Sequence, residues 1–440
     1  MKPQGHILVA SFFFIGFLFQ TNVHAARYFI NATGPMGDGT GSSADNAADA
    51  STPEKYRAIN QTQTAFGTVI VYAPGTYQMS PAFSMFNGVT HQGSGIDLTI
   101  MKIAQGAAAG SFTPMWLADK GTISNFKFTD ATIDFNSANT GWWAKGQGCS
   151  MAFAFSTADH CTIQRVKFIH MGGKKQESFP IFFIHGNSAP GNLNHNLIDS
   201  CIFSQPVVKG NADGGLTCIM MADAEPKITV DNTNIVSNCQ FLNLKAPEYS
   251  DLPYSQCCTC PVAINNKAAG VDALWFIEPG TQTMGNNHFF TGQTVQVTGN
   301  TLIDCGQVAA ILMHPNGNFA GDLNVEKNTV GMTQHPYFKQ GPRGPTGVSV
   351  ETYWPGNPPV GKITVQNNTF SAPLPTATSP FAVSIQIKEG SGNYFHIESL
   401  SVLNNTLVNF PHDGKEINVT TNPAYNPRYT NTENNFAPEK

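Results

Sequence analysis

Charge is what this sequence has least of. Only 12% of its 440 residues are Asp, Glu, Lys or Arg, five of these are Arg, and the formal net charge is −5. A nucleic-acid binder needs a basic face, so that class is excluded. The Ala, Glu, Lys and Leu load of a helical bundle or coiled coil is missing too. Beyond residue 19 no apolar run approaches the roughly 20 residues that span a bilayer, so no membrane span is expected. What fills the chain is 41 Gly, 39 Asn, 31 Phe and 28 Pro, with many Thr and Val. That mixture disfavours long helices and suits short strands joined by many turns. Apolar content of 41% is too high for disorder. The expected class is all-β.

The first segment reads as an address. Lys2 precedes the apolar run Ile7 to Phe19, and Val23-His24-Ala25 supplies a small residue at the exit. This is the layout of a secretory signal peptide over residues 1–25, cleaved after Ala25 or Ala26. The mature protein is expected to be secreted (extracellular or periplasmic) and monomeric. Nine cysteines then enter an oxidising compartment. Cys257, Cys258 and Cys260 cluster in what reads as a loop, with no nearby His to complete a metal site, and a loop disulfide is expected there. The other cysteines fall at core positions.

A short unit recurs along most of the chain. It appears as Ile123-Ser-Asn-Phe-Lys-Phe128, Ile163-Gln-Arg-Val-Lys-Phe168, Ile198-Asp-Ser-Cys-Ile-Phe203 and Val236-Ser-Asn-Cys-Gln-Phe241. It returns as Val297-Thr-Gly-Asn-Thr-Leu302, Val325-Glu-Lys-Asn-Thr-Val330, Val365-Gln-Asn-Asn-Thr-Phe370 and Val402-Leu-Asn-Asn-Thr-Leu407. The closing residues lie 28 to 61 positions apart, as in a solenoid with loops of variable length. Two residues before each close stand Phe126, Val166, Cys201, Cys239, Asn300, Asn328, Asn368 and Asn405. Stacked at the strand spacing of about 4.8 Å, the four Asn form a ladder of amide hydrogen bonds. Glycosylation sequons at Asn367 and Asn404 account for only two of the four repeats.

Second apolar strands lie between these units, among them Leu216 to Ala222, Val271 to Ile277, Val308 to Met313, Val348 to Thr352 and Phe381 to Ile387. Strand and turn alternate without room for crossover helices, which a stacked parallel β-helix allows. A β-propeller is the rival at about forty residues per unit. Eight to ten coils are expected in all, with residues 81–415 as the body of the β-helix. Residues 26–80 should supply an N-terminal strand, a capping helix and the first coil, and residues 416–440 a tail or cap. The capping helix starts at Thr52 as N-cap, with Pro53 next and Tyr56 and Ile59 facing the open end of the stack.

These features resemble the right-handed parallel β-helix proteins of the pectate-lyase-like superfamily. The Ile/Val-x-Asn-Asn-Thr-Phe unit carries that resemblance. So does the mature start, with Tyr28-Phe-Ile-Asn-Ala-Thr-Gly, Asp38-Gly-Thr-Gly-Ser-Ser and Val69-Ile-Val-Tyr-Ala-Pro-Gly-Thr-Tyr77. The resemblance implies the fold over roughly residues 27 to 410 and a carbohydrate-related role, but no single activity, because lyases, hydrolases, esterases, epimerases and adhesins share it. Asn211-Ala-Asp-Gly214 and Gln386-Ile-Lys388 match polygalacturonase-type motifs only in part, without the Asp pair or the Gly-His-Gly.

Alternation in Val383-Ser-Ile-Gln-Ile-Lys388 turns Val383, Ile385 and Ile387 inward and Ser384, Gln386 and Lys388 outward. The strand before it turns Val348 and Val350 inward and Ser349, Glu351 and Tyr353 outward. Aligning strands on their exit turns adds His314, Glu278, Asp223 and His185 to the outward column of Tyr353 and Lys388. The expected catalytic set is therefore His314, Tyr353, Lys388, Glu278 and Asp223. His185, Glu351, Gln386, Trp354 and Arg343 are expected to bind substrate. Neighbouring Asp223 and Glu278 would stand about 5 Å apart and hold a proton or Ca²⁺ between them. Trp142, Trp143, Trp275 and Tyr337 offer further faces for sugars. The expected function is cleavage of an acidic, uronate-containing polysaccharide by a lyase. A hydrolase using the carboxylate pair and a non-catalytic glycan-binding or adhesion module are the alternatives.

Overall fold

The computed structural model describes residues 26–80, 82–105, 114–137, 151–171, 178–183, 191–205, 216–221, 228–244, 255–277, 288–289, 294–313, 318–319, 321–332, 346–352, 360–373, 380–387, 397–411, 417–420, 428–432 and 434–437. The chain winds into a right-handed parallel β-helix with three faces. Face I is one sheet, running from Phe83–Ser84 to Ile417–Thr420. Faces II and III are halves of one larger sheet, bent where each coil turns between them. The described pairings are parallel, including those at the centre of each face, which removes the propeller. On face II the pairing runs unbroken through thirteen strands, from Arg27–Asn31 to Arg428–Thr432.

That is more than the eight to ten coils expected, for two reasons. The segment after residue 416 is not merely a tail: Ile417–Thr420, Arg428–Thr432 and Asn435–Ala437 pair onto the preceding coil on all three faces. The longest gap in the repeat also hides a coil. Ser255–Cys258, Val262–Ile264 and Lys267–Ala269 form it, so the cysteine cluster lies in and beside a buried strand rather than an external loop. None of the eight described cysteines is in a disulfide, and all are buried.

The bend between faces II and III is a single left-handed residue repeated through nine coils. Asp130, Arg165, Ser200, Asn238, Asn265, Gly299, Lys327, Asn367 and Asn404 all have φ between 52° and 70°. Asn, Asp and Gly tolerate that conformation best, which is why they dominate the column. Arg165 is held there by a two-pronged ion pair with Asp130 of the coil above, at 2.5 and 2.8 Å.

The residue after each bend points inward and builds the ladder. Asn266, Asn300, Asn328, Asn368, Asn405 and Asn434 are joined Nδ2 to Oδ1 at 2.9–3.1 Å. Each Oδ1 also accepts the backbone N–H of the ladder residue before it, and the first, that of Asn266, accepts from Cys239 at 2.9 Å. The ladder is thus longer than expected by Asn266 and Asn434. The top of the column is also one register off. Val166 sits opposite Ala131, and Phe128–Ile133 is the true first repeat, while Phe126 follows the left-handed Asn125 on the turn between faces I and II.

The closing residues form the inward column of face III. Phe168, Phe203 and Phe241 stack there with ring centroids 4.7 and 5.0 Å apart. Over the N-terminal end lies α1, Pro53–Thr62, with Thr52 Oγ1 accepting the N–H of Lys55 and Pro53 opening the helix. Tyr56 and Ile59 are buried against the first coil. The Tyr56 hydroxyl meets that of Tyr72 at 2.7 Å, and Tyr72 bonds His91 Nδ1 at 2.5 Å.

Candidate functional site

Face I carries the candidate site, and its register is set by inward valines and isoleucines. Ala309, Val348 and Val383 sit opposite one another, as do Ile311, Val350 and Ile385. All six are buried, and so are the outward Ala310, Ser349 and Ser384 between them, so the inward parity rests on the alternation and the shared register. Between them the outward residues Ala310, Ser349 and Ser384 align, followed on the last strand by Asn418, whose Nδ2 donates to Ser384 Oγ at 3.3 Å. The C-terminal half of the face therefore has a floor of small side chains. Its N-terminal half is apolar instead: Leu117, Ala154 and Phe182 continue the same outward column, and Met151 packs with them.

The next outward pair, Glu351 and Gln386, lies in register between neighbouring strands, with Leu312 opposite Glu351. The strands end together, Met313 opposite Thr352 and Thr352 opposite Ile387. His314, Tyr353 and Lys388 are the residues that follow these three in the chain. They lie outside the described residues, as do His185, Asp223, Glu278, Trp354 and Arg343, and the side chains of Glu351 and Gln386.

Two expected alignments are not those the strands set up. Ile277 sits opposite Ile311, two residues before Met313, so the register does not carry Glu278 into line with His314. Asp223 and Glu278 are also not on adjacent strands. Leu216–Met220 pairs with Ser255–Cys258, which in turn pairs with Ala273–Ile277. The described strands that lead to the two carboxylates are thus not neighbours, whereas the expectation of a shared proton or Ca²⁺ took them as adjacent. Reading Cys257-Cys258-Thr-Cys260-Pro261 as a loop hid this strand.

Trp275, expected as a sugar platform, is a core residue: it is fully buried and its Nε1 donates to the carbonyl of Cys260 at 2.8 Å. Trp142, Trp143 and Tyr337 lie outside the described residues. The thiols around the hidden coil are not a chemical centre. Burial holds those of Cys218, Cys239, Cys257 and Cys260 well above the ordinary range, and pushes Cys161 up to about 12.

No protein-family model and no curated protein matches this chain. Among solved structures, the chain is similar to a tailspike protein of E. coli bacteriophage HK620. Identity is 11% and TM-score 0.53, over 88% of this chain and 63% of the tailspike chain. It is also similar to the A-module of the Azotobacter vinelandii mannuronan C-5 epimerase AlgE6, with 15% identity, TM-score 0.38, and 93% and 100% of the two chains covered. A third is PfbA, a surface adhesin of Streptococcus pneumoniae, with 13% identity, TM-score 0.46, and 89% and 93% covered. At these identities the likeness is one of fold.

Proposed function

We propose that the protein is a secreted polysaccharide lyase that cleaves an acidic, uronate-containing glycan along the C-terminal half of face I. The observation that supports this reading is the common end of three adjacent strands, at Met313, Thr352 and Ile387, beside the small-residue floor of Ala310, Ser349 and Ser384. The next residues in the chain are His, Tyr and Lys. Neighbouring strands lie about 4.8 Å apart, so three such side chains fit the scale of one sugar ring and its linkage.

Lyase chemistry needs three groups. A base takes the proton on the carbon next to the uronate carboxyl, and its electron pair forms the new C=C bond as the bond to the glycosidic oxygen breaks. An acid protonates that leaving oxygen, and a cation steadies the carboxylate while charge builds on it. His314 is the base in this proposal, Tyr353 the acid and Lys388 the cation. Glu351, Gln386, Trp354 and Arg343 are assigned to substrate binding in the same proposal. A hydrolase built on Asp223 and Glu278 loses its footing, because a strand separates theirs.

The deciding experiment is digestion of a panel of uronate-containing and neutral polysaccharides by the purified protein. Ultraviolet absorbance of an unsaturated uronate end supports the lyase. New reducing ends without that absorbance replace it with a hydrolase. Binding without products makes the protein a glycan-binding module.

A further inference from the structure

We infer that Asp159, His160 and His195 form a divalent transition-metal site on the turn between faces I and II, apart from the proposed glycan groove. Asp159 ends a face I strand, and His160 and His195 are equivalent turn residues on consecutive coils. Their imidazoles stack with centroids 4.3 Å apart and planes 15° from parallel. Both Nδ1 atoms approach the same carboxylate oxygen, Asp159 Oδ1, that of His160 at 2.9 Å and that of His195 at 3.5 Å. One ligand atom from each of the three residues lies within 4.8 Å of the others.

That geometry is close to what a small ion requires. Zn–N and Zn–O bonds of about 2.0–2.2 Å put the donors of a tetrahedral site about 3.3–3.5 Å apart. Exposed side chains can close that difference by small rotations. With half of each imidazole and over a third of the carboxylate exposed, the remaining position is open to water. Two imidazoles and one carboxylate select Zn²⁺, Ni²⁺ or Cu²⁺ over the hard Ca²⁺ and Mg²⁺.

The backbone is already fixed for the task. The N–H of His160 donates to the carbonyl of Asn194 at 3.1 Å, and that of His195 to Thr233 Oγ1 at 2.7 Å. Just behind them, Cys161 N–H donates to Asn196 Oδ1, and Asn196 Nδ2 to Asn234 Oδ1, a second short amide ladder. The left-handed turn explains part of the residue choice, since His160 and His195 have φ of 55° and 53°. It does not explain histidine, because Asn125 fills the same place one coil above at φ 55°. Nor does it explain two Nδ1 atoms aimed at one oxygen. An ion there would clip together coils whose ligands are 35 residues apart in sequence.

The test uses full-length protein produced without a polyhistidine tag and stripped with chelator. Zn²⁺ is titrated by calorimetry and by melting temperature, and Co²⁺ by its visible absorption. Wild type should bind one ion that raises the melting temperature, with the intense band of tetrahedral Co²⁺. His160→Asn, His195→Asn and Asp159→Asn should each weaken that binding by at least about tenfold. Asn is chosen because it keeps the left-handed turn. His170→Asn, which removes an imidazole bonded to Asp134 on a different turn, should change nothing. Equal Zn²⁺ uptake by wild type and the His160→Asn/His195→Asn double variant would overturn the site, and so would wild type that takes up none.

Discussion

Asn328 Nδ2 donates to Asn368 Oδ1 at 2.9 Å, across forty residues of chain and a single strand spacing. The same amide donates to the carbonyl of Val297, and its oxygen accepts both the side chain and the backbone N–H of Asn300. Every polar atom of this buried side chain is therefore used. Asn328→Ala should cost about 2–4 kcal/mol, because it leaves neighbouring donors and acceptors stranded in the core. Asn367→Gly, at an exposed left-handed turn position, should cost only a few tenths of a kcal/mol. Urea titration of the two variants checks the contrast, and equal midpoints would sink the ladder's energetic role.

His91 gives the cap a pH dependence. Buried among Tyr72, Trp116, Phe126 and Phe128, it is held at about 3, against an ordinary 6.5, by loss of hydration. Its Nδ1 is hydrogen-bonded to the Tyr72 hydroxyl, while Nε2 meets no hydrogen-bond partner. The unfolded chain binds a proton here below about 6.5 and the folded one does not until about 3. Stability from this group is therefore complete above 6.5 and falls by about 1.4 kcal/mol per pH unit between those values. His91→Gln, which keeps a hydrogen-bonding group for Tyr72, should narrow the difference in melting temperature between pH 4 and pH 7.

The buried thiols should be silent. None of the eight described cysteines should react with a disulfide reagent at pH 8 before denaturant is added, since each is buried and several are held far from the thiolate. More than one thiol titrated in the native protein would contradict this packing.

Face I offers a paired test of inside against outside. Val350→Ala removes methyl groups from the core and should cost about 2 kcal/mol. His314→Ala should abolish turnover of the cleaved glycan while shifting the melting temperature by no more than a few degrees. Full activity in a His314→Ala/Lys388→Ala double variant would discard the proposed catalytic column.

Much of this molecule was legible one residue at a time. Alternation in Val383-Ser-Ile-Gln-Ile set inward against outward. Thr52-Pro53 marked the cap helix, and Asn before Thr marked the ladder. Each is a local rule: side chains alternate along a strand, a hydroxyl caps a helix, and a left-handed bend prefers Asn, Asp or Gly. What only the tertiary structure decided was which coil neighbours which. Ala263-Ile-Asn-Asn-Lys-Ala268 lacks the β-branched start and the bulky apolar close, so the coil at 255–269 stayed hidden. Its insertion separated the strands of Asp223 and Glu278. Trp275 passed from sugar platform to core for the same reason, and His160 met His195, 35 positions on, only because the chain between them closed one turn of the solenoid. Stacking distance is set by backbone hydrogen bonds at one strand spacing whatever the loop length, and loop length is what the eye reads along a sequence.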